Sequence, residues 1–217
     1  MSVIIAADDT HRCPTVGSLV VAGVAADEKT IKYFKRIGVK DSKLLERNRR
    51  FYLLTEIAKH ARIAVKFITP MQISRCENLN DEEVKAYMDV IEQLSGQQLP
   101  VKVIIDNFDR NKTKFIERMR RLGFHSYADA AEGWTIEHDA DKNYTLCGAA
   151  SIVAKCFSDI EMDYLRRKYD VGSGNPNDPK TEKFIIKHLK CEPKCRKGCQ
   201  WIRWNWHTIE RLRNSIG

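Results

Sequence analysis

The residues best placed to do chemistry in this chain are carboxylates. An apolar run at residues 3–7 delivers two adjacent acids, Asp8 and Asp9, into a turn, and the chain runs back over residues 18–24. A second apolar run, residues 101–105, ends in Asp106, and residues 134–138 lead after a longer approach to Asp141. Short apolar runs bounded by turn residues read as buried strands. Neighbouring strand ends gather in space, so these acids are expected to converge although they are far apart in sequence. A cluster of four carboxylates repels itself unless divalent cations neutralise it, and oxygen-only ligation suits Mg²⁺ or Mn²⁺. Two such ions form a clamp for in-line phosphodiester hydrolysis. Taken singly, each Asp does no more than end a strand or cap a helix; the expected metal centre rests on their meeting.

The elements that must position them follow from periodicity. Strands are predicted at 3–7, 18–24, 62–69, 101–105 and 134–138, with 124–131 also extended. Helices are predicted at 27–35, in the stretch holding Phe51, Leu54, Ile57, Ala58 and Ala61, from Asn80 as cap, at 110–121, from about Leu146, from Pro179, and at 206–215. Val84, Tyr87, Met88, Ile91 and Leu94 form the buried stripe of the third of these. Interleaved strands and helices with an early hairpin predict an α/β fold, a mixed sheet flanked by helices.

The 217 residues fit one large domain with an appendage, and the balance of 43% hydrophobic to 30% charged residues is that of a globular chain able to bury a core. No apolar run reaches bilayer-spanning length, and the N-terminus lacks the basic-then-apolar pattern of a secretory leader. With an odd count of seven cysteines, a cytoplasmic protein with reduced thiols is expected, with no membrane partner and as a monomer. Of the net +8, residues 180–217 carry +7, ten Lys and Arg against three Glu. Such asymmetry predicts a nucleic-acid contact at the C-terminal end.

Taken in order, the motifs resemble the ribonuclease HII (type 2 ribonuclease H) family, in particular its archaeal and eukaryotic catalytic-subunit branch. The matching pieces are Ala7-Asp8-Asp9, Val20-Val21-Ala22-Gly23-Val24, Gly38-Val39-Lys40-Asp41-Ser42-Lys43, Asn78-Leu79-Asn80 and Val103-Ile104-Ile105-Asp106. Then come Ala140-Asp141, Ala149-Ala150-Ser151-Ile152-Val153-Ala154-Lys155, Gly172-Ser173-Gly174, Pro176-Asn177-Asp178-Pro179-Lys180-Thr181 and Ile202-Arg203 with Trp206. The resemblance implies a ribonuclease H-like catalytic domain over residues 1–170 and a basic helical extension, 171–217, that completes a substrate cleft. It implies Mg²⁺- or Mn²⁺-dependent endonucleolytic cleavage of RNA in RNA–DNA hybrids, or of ribonucleotides embedded in duplex DNA. Asp8, Asp9, Asp106 and Asp141 correspond to the family's metal-binding acids, while Arg12, Lys43, Lys155, Asn175, Lys180 and Arg203 fall at positions expected to hold the nucleic acid.

Three departures stand against that pattern. The family's acidic pair is Asp-Glu, and Asp9 is one methylene shorter; adjacent strand residues point to opposite faces, so the second acid needs reach. The family's Gly-Arg-Gly loop, whose backbone approaches the ribose 2′-hydroxyl, is here His11-Arg12-Cys13, and Asn175 stands where the related branch stacks a Tyr on deoxyribose. Together these changes predict a preference for longer RNA stretches over single embedded ribonucleotides. They also motivate two rival readings, a catalytically weak nucleic-acid-binding paralogue and a metal nuclease of another specificity. Finally, His188, Cys191, Cys195 and Cys199 space as H-x2-C-x3-C-x3-C, soft donors that suit Zn²⁺, with free thiols in a basic loop as the competing reading.

Overall fold

The computed structural model describes residues 3–96, 98–100, 102–189 and 198–216. Why the acids meet follows from strand order. β1 (Ile4–Thr10) alternates, sending Ile5 and Ala7 into one buried cluster and Ile4 and Ala6 into another, so both faces of the sheet are covered. β2 (Leu19–Ala26) runs antiparallel to it and is buried throughout. β3 (Arg62–Ile68) adds antiparallel to β2, whereas β4 (Val103–Asp106) and β5 (Thr135–Glu137) add in parallel beyond β1. The order is β3-β2-β1-β4-β5. Because β1 and β4 run the same way with Ala7 beside Ile105, the next residue of each strand is an Asp, and Asp8 and Asp106 reach the same end.

The helices are α1 (Glu28–Arg36), α2 (Arg47–His60), α3 (Pro70–Arg75), α4 (Leu79–Ser95) and α5 (Lys112–Arg121), then α6 (His125–Ala130), α7 (Ala140–Asn143), α8 (Thr145–Tyr169), α9 (Pro179–Leu189) and α10 (His207–Ile216). α4, α5 and α6 close one face of the sheet, with the predicted stripe of α4 fully buried. α8, α1 and α2 close the other. A third cluster joins Val16, Met162 and Leu165 to Phe184, Ile185, Ile202, Ile209 and Leu212 of the C-terminal region. Close approach dictates two glycines. A Cβ on Gly23 would run into Val90 of α4, and one on Gly148 would lie 3.1 Å from the Asp141 carbonyl and the Lys40 backbone. No helix among the described residues is long and apolar enough to cross a membrane.

Two local expectations change. Residues 125–130 are helical rather than extended, because Ala128 and Ala131 bury at a spacing of three, and Gly123, at φ 91°, turns the chain out of α5. α4 is capped by Asn78, whose side chain accepts the Asn80 N–H, which leaves the Asn80 side chain for another partner.

Candidate active site

Asp8, Asp106 and Asp141 each offer a carboxylate oxygen to a cluster in which those atoms lie within 4.8 Å of one another. Asp8 comes from β1 and Asp106 from the end of β4. The Asp106 Oδ1 accepts the Ala140 N–H at 3.0 Å, which ties β4 to the start of α7 and so brings Asp141 in. Asp139 enters that helix at φ 60°. α7 in turn lies against α8 at Gly148, where any side chain would press on the Asp141 carbonyl. Burial, then the charges of Asp9, Asp106 and Asp141, push the Asp8 carboxyl well above the usual carboxylate range. Burial and then Asp106 raise Asp141, and burial raises Asp106.

Both carboxylate oxygens of Asp141 are buried without a hydrogen-bond partner among the described residues; Lys43 pairs with it, Nζ 3.6 Å from Oδ2, while Asp106 and Asp41 add like charge. Orphaned buried oxygens inside a self-repelling cluster are the donor set a divalent cation neutralises, so the residues fit Mg²⁺ or Mn²⁺.

Asp9 is not in that cluster. It is turned toward α4, where the Tyr87 hydroxyl donates to its Oδ1 at 3.0 Å, and burial pushes its carboxyl up to about 6 against the opposing charge of Arg12. Three of the four expected acids therefore meet, and the fourth is drawn to the other face of the sheet, as alternation along a strand dictates.

Arg12 reaches the same helix. Its guanidinium pairs with the fully buried Glu83, donates to Asn80 Oδ1 at 2.6 Å and lies 4.9 Å over the Phe108 ring. Asn80, Glu83 and Tyr87 thus form a polar stripe on α4 that sequence reasoning absorbed into capping and core. Its signal was an acid and an amide at helical spacing from an otherwise apolar stripe.

The remaining expected contact residues divide. Lys43 is exposed beside the acids, and Lys155 pairs with Asp159 at 3.0 Å. Asn175 is exposed and donates to Ser173 Oγ, while its neighbour Gly174 accepts N–H groups from Thr15 and Val16, which sets it against the 11–17 loop. Lys180 is exposed and pairs with Asp170.

Arg203 needs correction: it is fully buried, and its guanidinium donates to the carbonyls of His11, Arg12 and Gly17 at 2.7, 2.7 and 2.9 Å. The Val16–Ile202 bridge draws it beneath the loop, so it does not face a phosphate. Of the expected zinc ligands, His188 is buried with Nδ1 2.7 Å from the Phe184 carbonyl and Cys199 is half-buried, while Cys191 and Cys195 lie outside the described residues.

The loop itself is unlike an ordinary turn. His11 adopts φ 65° and turns its ring inward, where Nε2 donates to the Val16 carbonyl at 2.9 Å. Burial holds the imidazole down at about 4, neutral at pH 7. Cβ atoms on Gly17 or Gly174 would sit 3.0 and 3.6 Å from that ring nitrogen. The bulk gained at His11 points into the protein, and Cys13 is exposed.

The family model of ribonuclease HII matches residues 5–208. The chain belongs to the ribonuclease HII family. Among curated members, ribonuclease HII of Pyrococcus furiosus is 35% identical over 215 residues, covering 96% of this chain and 90% of that protein. The crystal structure of the ribonuclease H2 from Pyrococcus horikoshii OT3 superposes with a TM-score of 0.82 at 28% identity, covering 99% and 98% of the two chains. Bst-RNase HIII in complex with Mn²⁺ shares the fold, with a TM-score of 0.80 at 17% identity over 99% of this chain and 70% of that one. Membership makes the chain a type 2 ribonuclease H, an endonuclease of a family that uses divalent metals.

Proposed function

We propose that the chain hydrolyses the RNA strand of RNA–DNA hybrids with two divalent cations, Mg²⁺ or Mn²⁺, held by Asp8, Asp106 and Asp141 and assisted by Asp9. The observation that carries this reading is Asp141, whose two buried oxygens form no hydrogen bond inside a cluster of like charges that Lys43 alone does not balance. Bound there, the ions supply charge neutralisation, activation of the attacking water and stabilisation of the leaving oxygen. The chain's own residues orient the substrate. Lys43 stands exposed beside the acids to meet a backbone phosphate, and Arg12 offers its partly exposed edge while Glu83 and Asn80 keep it in place.

Specificity follows from the same loop. Exposed Cys13 and Asn175 offer neither the close backbone approach of a glycine nor a ring to stack on a sugar, so longer RNA stretches are favoured over a single ribonucleotide. Asp9 favours a second reading, a weakly catalytic nucleic-acid-binding paralogue, because its carboxylate is engaged by Tyr87.

One assay decides. Purified protein receives an RNA–DNA hybrid, a duplex with one embedded ribonucleotide and an all-DNA duplex, each with Mg²⁺ or Mn²⁺, beside an Asp106→Asn control. Rapid cleavage of the hybrid alone is expected. Binding without cleavage establishes the paralogue reading, and equal cleavage of the single-ribonucleotide duplex overturns the specificity argument.

A further inference from the structure

The pairing of β1 with β2 ends at Thr10 and Val20, and the loop between them is held from the far end of the chain. Thr15 and Val16 donate to the Gly174 carbonyl at 2.8 and 3.2 Å, Gly17 donates to the Trp201 carbonyl at 2.9 Å, and Arg203 N–H donates to the Thr15 carbonyl at 2.8 Å. At the centre of these contacts is the Arg203 side chain. Among the described residues no carboxylate bonds to it; Glu161, the acid whose charge acts on it, spends its oxygens on the Ser18 N–H and hydroxyl. Leaving a guanidinium in the interior without a paired acid is unfavourable unless its donors are otherwise satisfied. Here three backbone carbonyls satisfy them.

Two of those carbonyls, His11 and Arg12, are consecutive. In a strand successive carbonyls alternate in direction; here both turn to one guanidinium, at 2.7 Å each, so the chain has left the strand pattern across Arg12. In a trans peptide the N–H points opposite to the C=O. The N–H groups of Arg12 and Cys13 therefore point away from Arg203, side by side, an arrangement that receives oxygen acceptors. No acceptor among the described residues takes either of them. Trp206 completes the device: its indole lies 5.1 Å from the Arg203 guanidinium, and its Nε1 donates to the Cys13 carbonyl at 3.0 Å. Three successive carbonyls are thus gathered on one side.

We infer that Arg203 is a positioning residue for substrate recognition: from behind the loop it sets the two peptide planes whose N–H groups, with the Arg12 side chain, are presented to the nucleic acid. The identity of that ligand rests on the hybrid-cleaving reading above, whereas the clamp itself rests on the hydrogen bonds. An arginine is required because its planar fork reaches several acceptors at once, while a lysine ammonium is a point charge on a flexible stem.

The test compares Arg203→Lys with the parent chain, both in an Asp106→Asn background so that bound RNA survives. Hydrogen exchange read by mass spectrometry should quicken in peptides covering residues 10–17 and stay unchanged in α8. Affinity for a labelled hybrid should fall roughly tenfold, the equivalent of one good hydrogen bond, and that for an all-DNA duplex about twofold or less. A merely structural role predicts a lowered Tm with equal losses on both duplexes, and that result, or unaltered loop exchange, overturns the inference. Faster loop exchange in a protein that never prefers the hybrid upholds the clamp and overturns the substrate reading instead. Should Arg203→Lys fail to fold, Trp206→Phe, which removes the N–H to the Cys13 carbonyl together with part of the ring, must give a smaller change of the same pattern, and its absence overturns the clamp.

Discussion

Asp141 carries opposite demands at the scale of a single residue: its burial helps define the site, and that burial among like charges opposes folding until a cation arrives. Asp141→Asn should therefore raise the Tm of chelator-treated protein while lowering cleavage by about a hundredfold or more, beyond the loss expected for an outer-shell partner. Thermal melts with and without Mg²⁺, beside a cleavage assay, check both signs. Asp9→Glu should raise Mg²⁺-dependent cleavage, since the added methylene lets the carboxylate return toward the cluster from the Tyr87 side; unchanged or lower activity in a metal titration would count against this.

His11 titrates at about 4 in the fold against an ordinary 6.5. Between those values the unfolded chain binds the extra proton, so His11 contributes stability that is complete above about pH 6.5 and lost as the pH falls toward 4, on the order of 3 kcal/mol. Urea unfolding of the parent and His11→Asn, which tolerates the left-handed conformation, should show a stability difference that varies within that window and is flat above it. Asp8 and Asp106 were legible in the sequence because each follows an apolar run, and Asp141 because it lies a short way beyond an extended stretch. The bonding of Asp9 to Tyr87 and the inward His11 ring were not, because each depends on which distant residue packs behind the strand.

Among elements, α7 is only one turn long and has little of its own to hold it. It depends on Gly148, whose missing side chain lets α8 approach the backbone of Asp141 and Lys40. Gly148→Ala should move Asp141 and cut kcat severalfold or more, with a destabilisation of about 1–3 kcal/mol from overpacking. Single-turnover cleavage and urea melts separate the two effects. The strands, α4 and α8 were legible through strong periodicity. Residues 125–130 were misread because their aromatic and small apolar residues satisfy a two-residue alternation as readily as a helical one, and only packing against the sheet selects between them.

Across the whole molecule, the charge asymmetry seen in the sequence resolves into a two-faced helix. On α9, Phe184, Ile185 and His188 are buried while Lys183 and Lys187 are exposed. Replacing both lysines with alanine should lower hybrid affinity and reduce the slope of log K against log salt by about 2, one unit per lost phosphate contact. Unchanged salt dependence would assign them to plain solvation. The basic end of the chain was legible as a whole, but Arg203 within it was not, since burial of one arginine among ten basic residues leaves no compositional trace.

The bond between Arg203 and the Arg12 carbonyl spans 191 residues of chain. A ribosome adding roughly 5–20 residues per second needs some 10–40 s to travel from one to the other. By the end of that interval the strands that bear Asp8 and Asp106 have been made, while the loop between β1 and β2 still has no clamp. A polypeptide abandoned before Ile202 and Arg203 would carry the acids without the organised loop. The hydrogen bonds that hold the 11–17 loop thus form only once the C-terminal end has been made, which makes this loop one of the last parts of the fold to close.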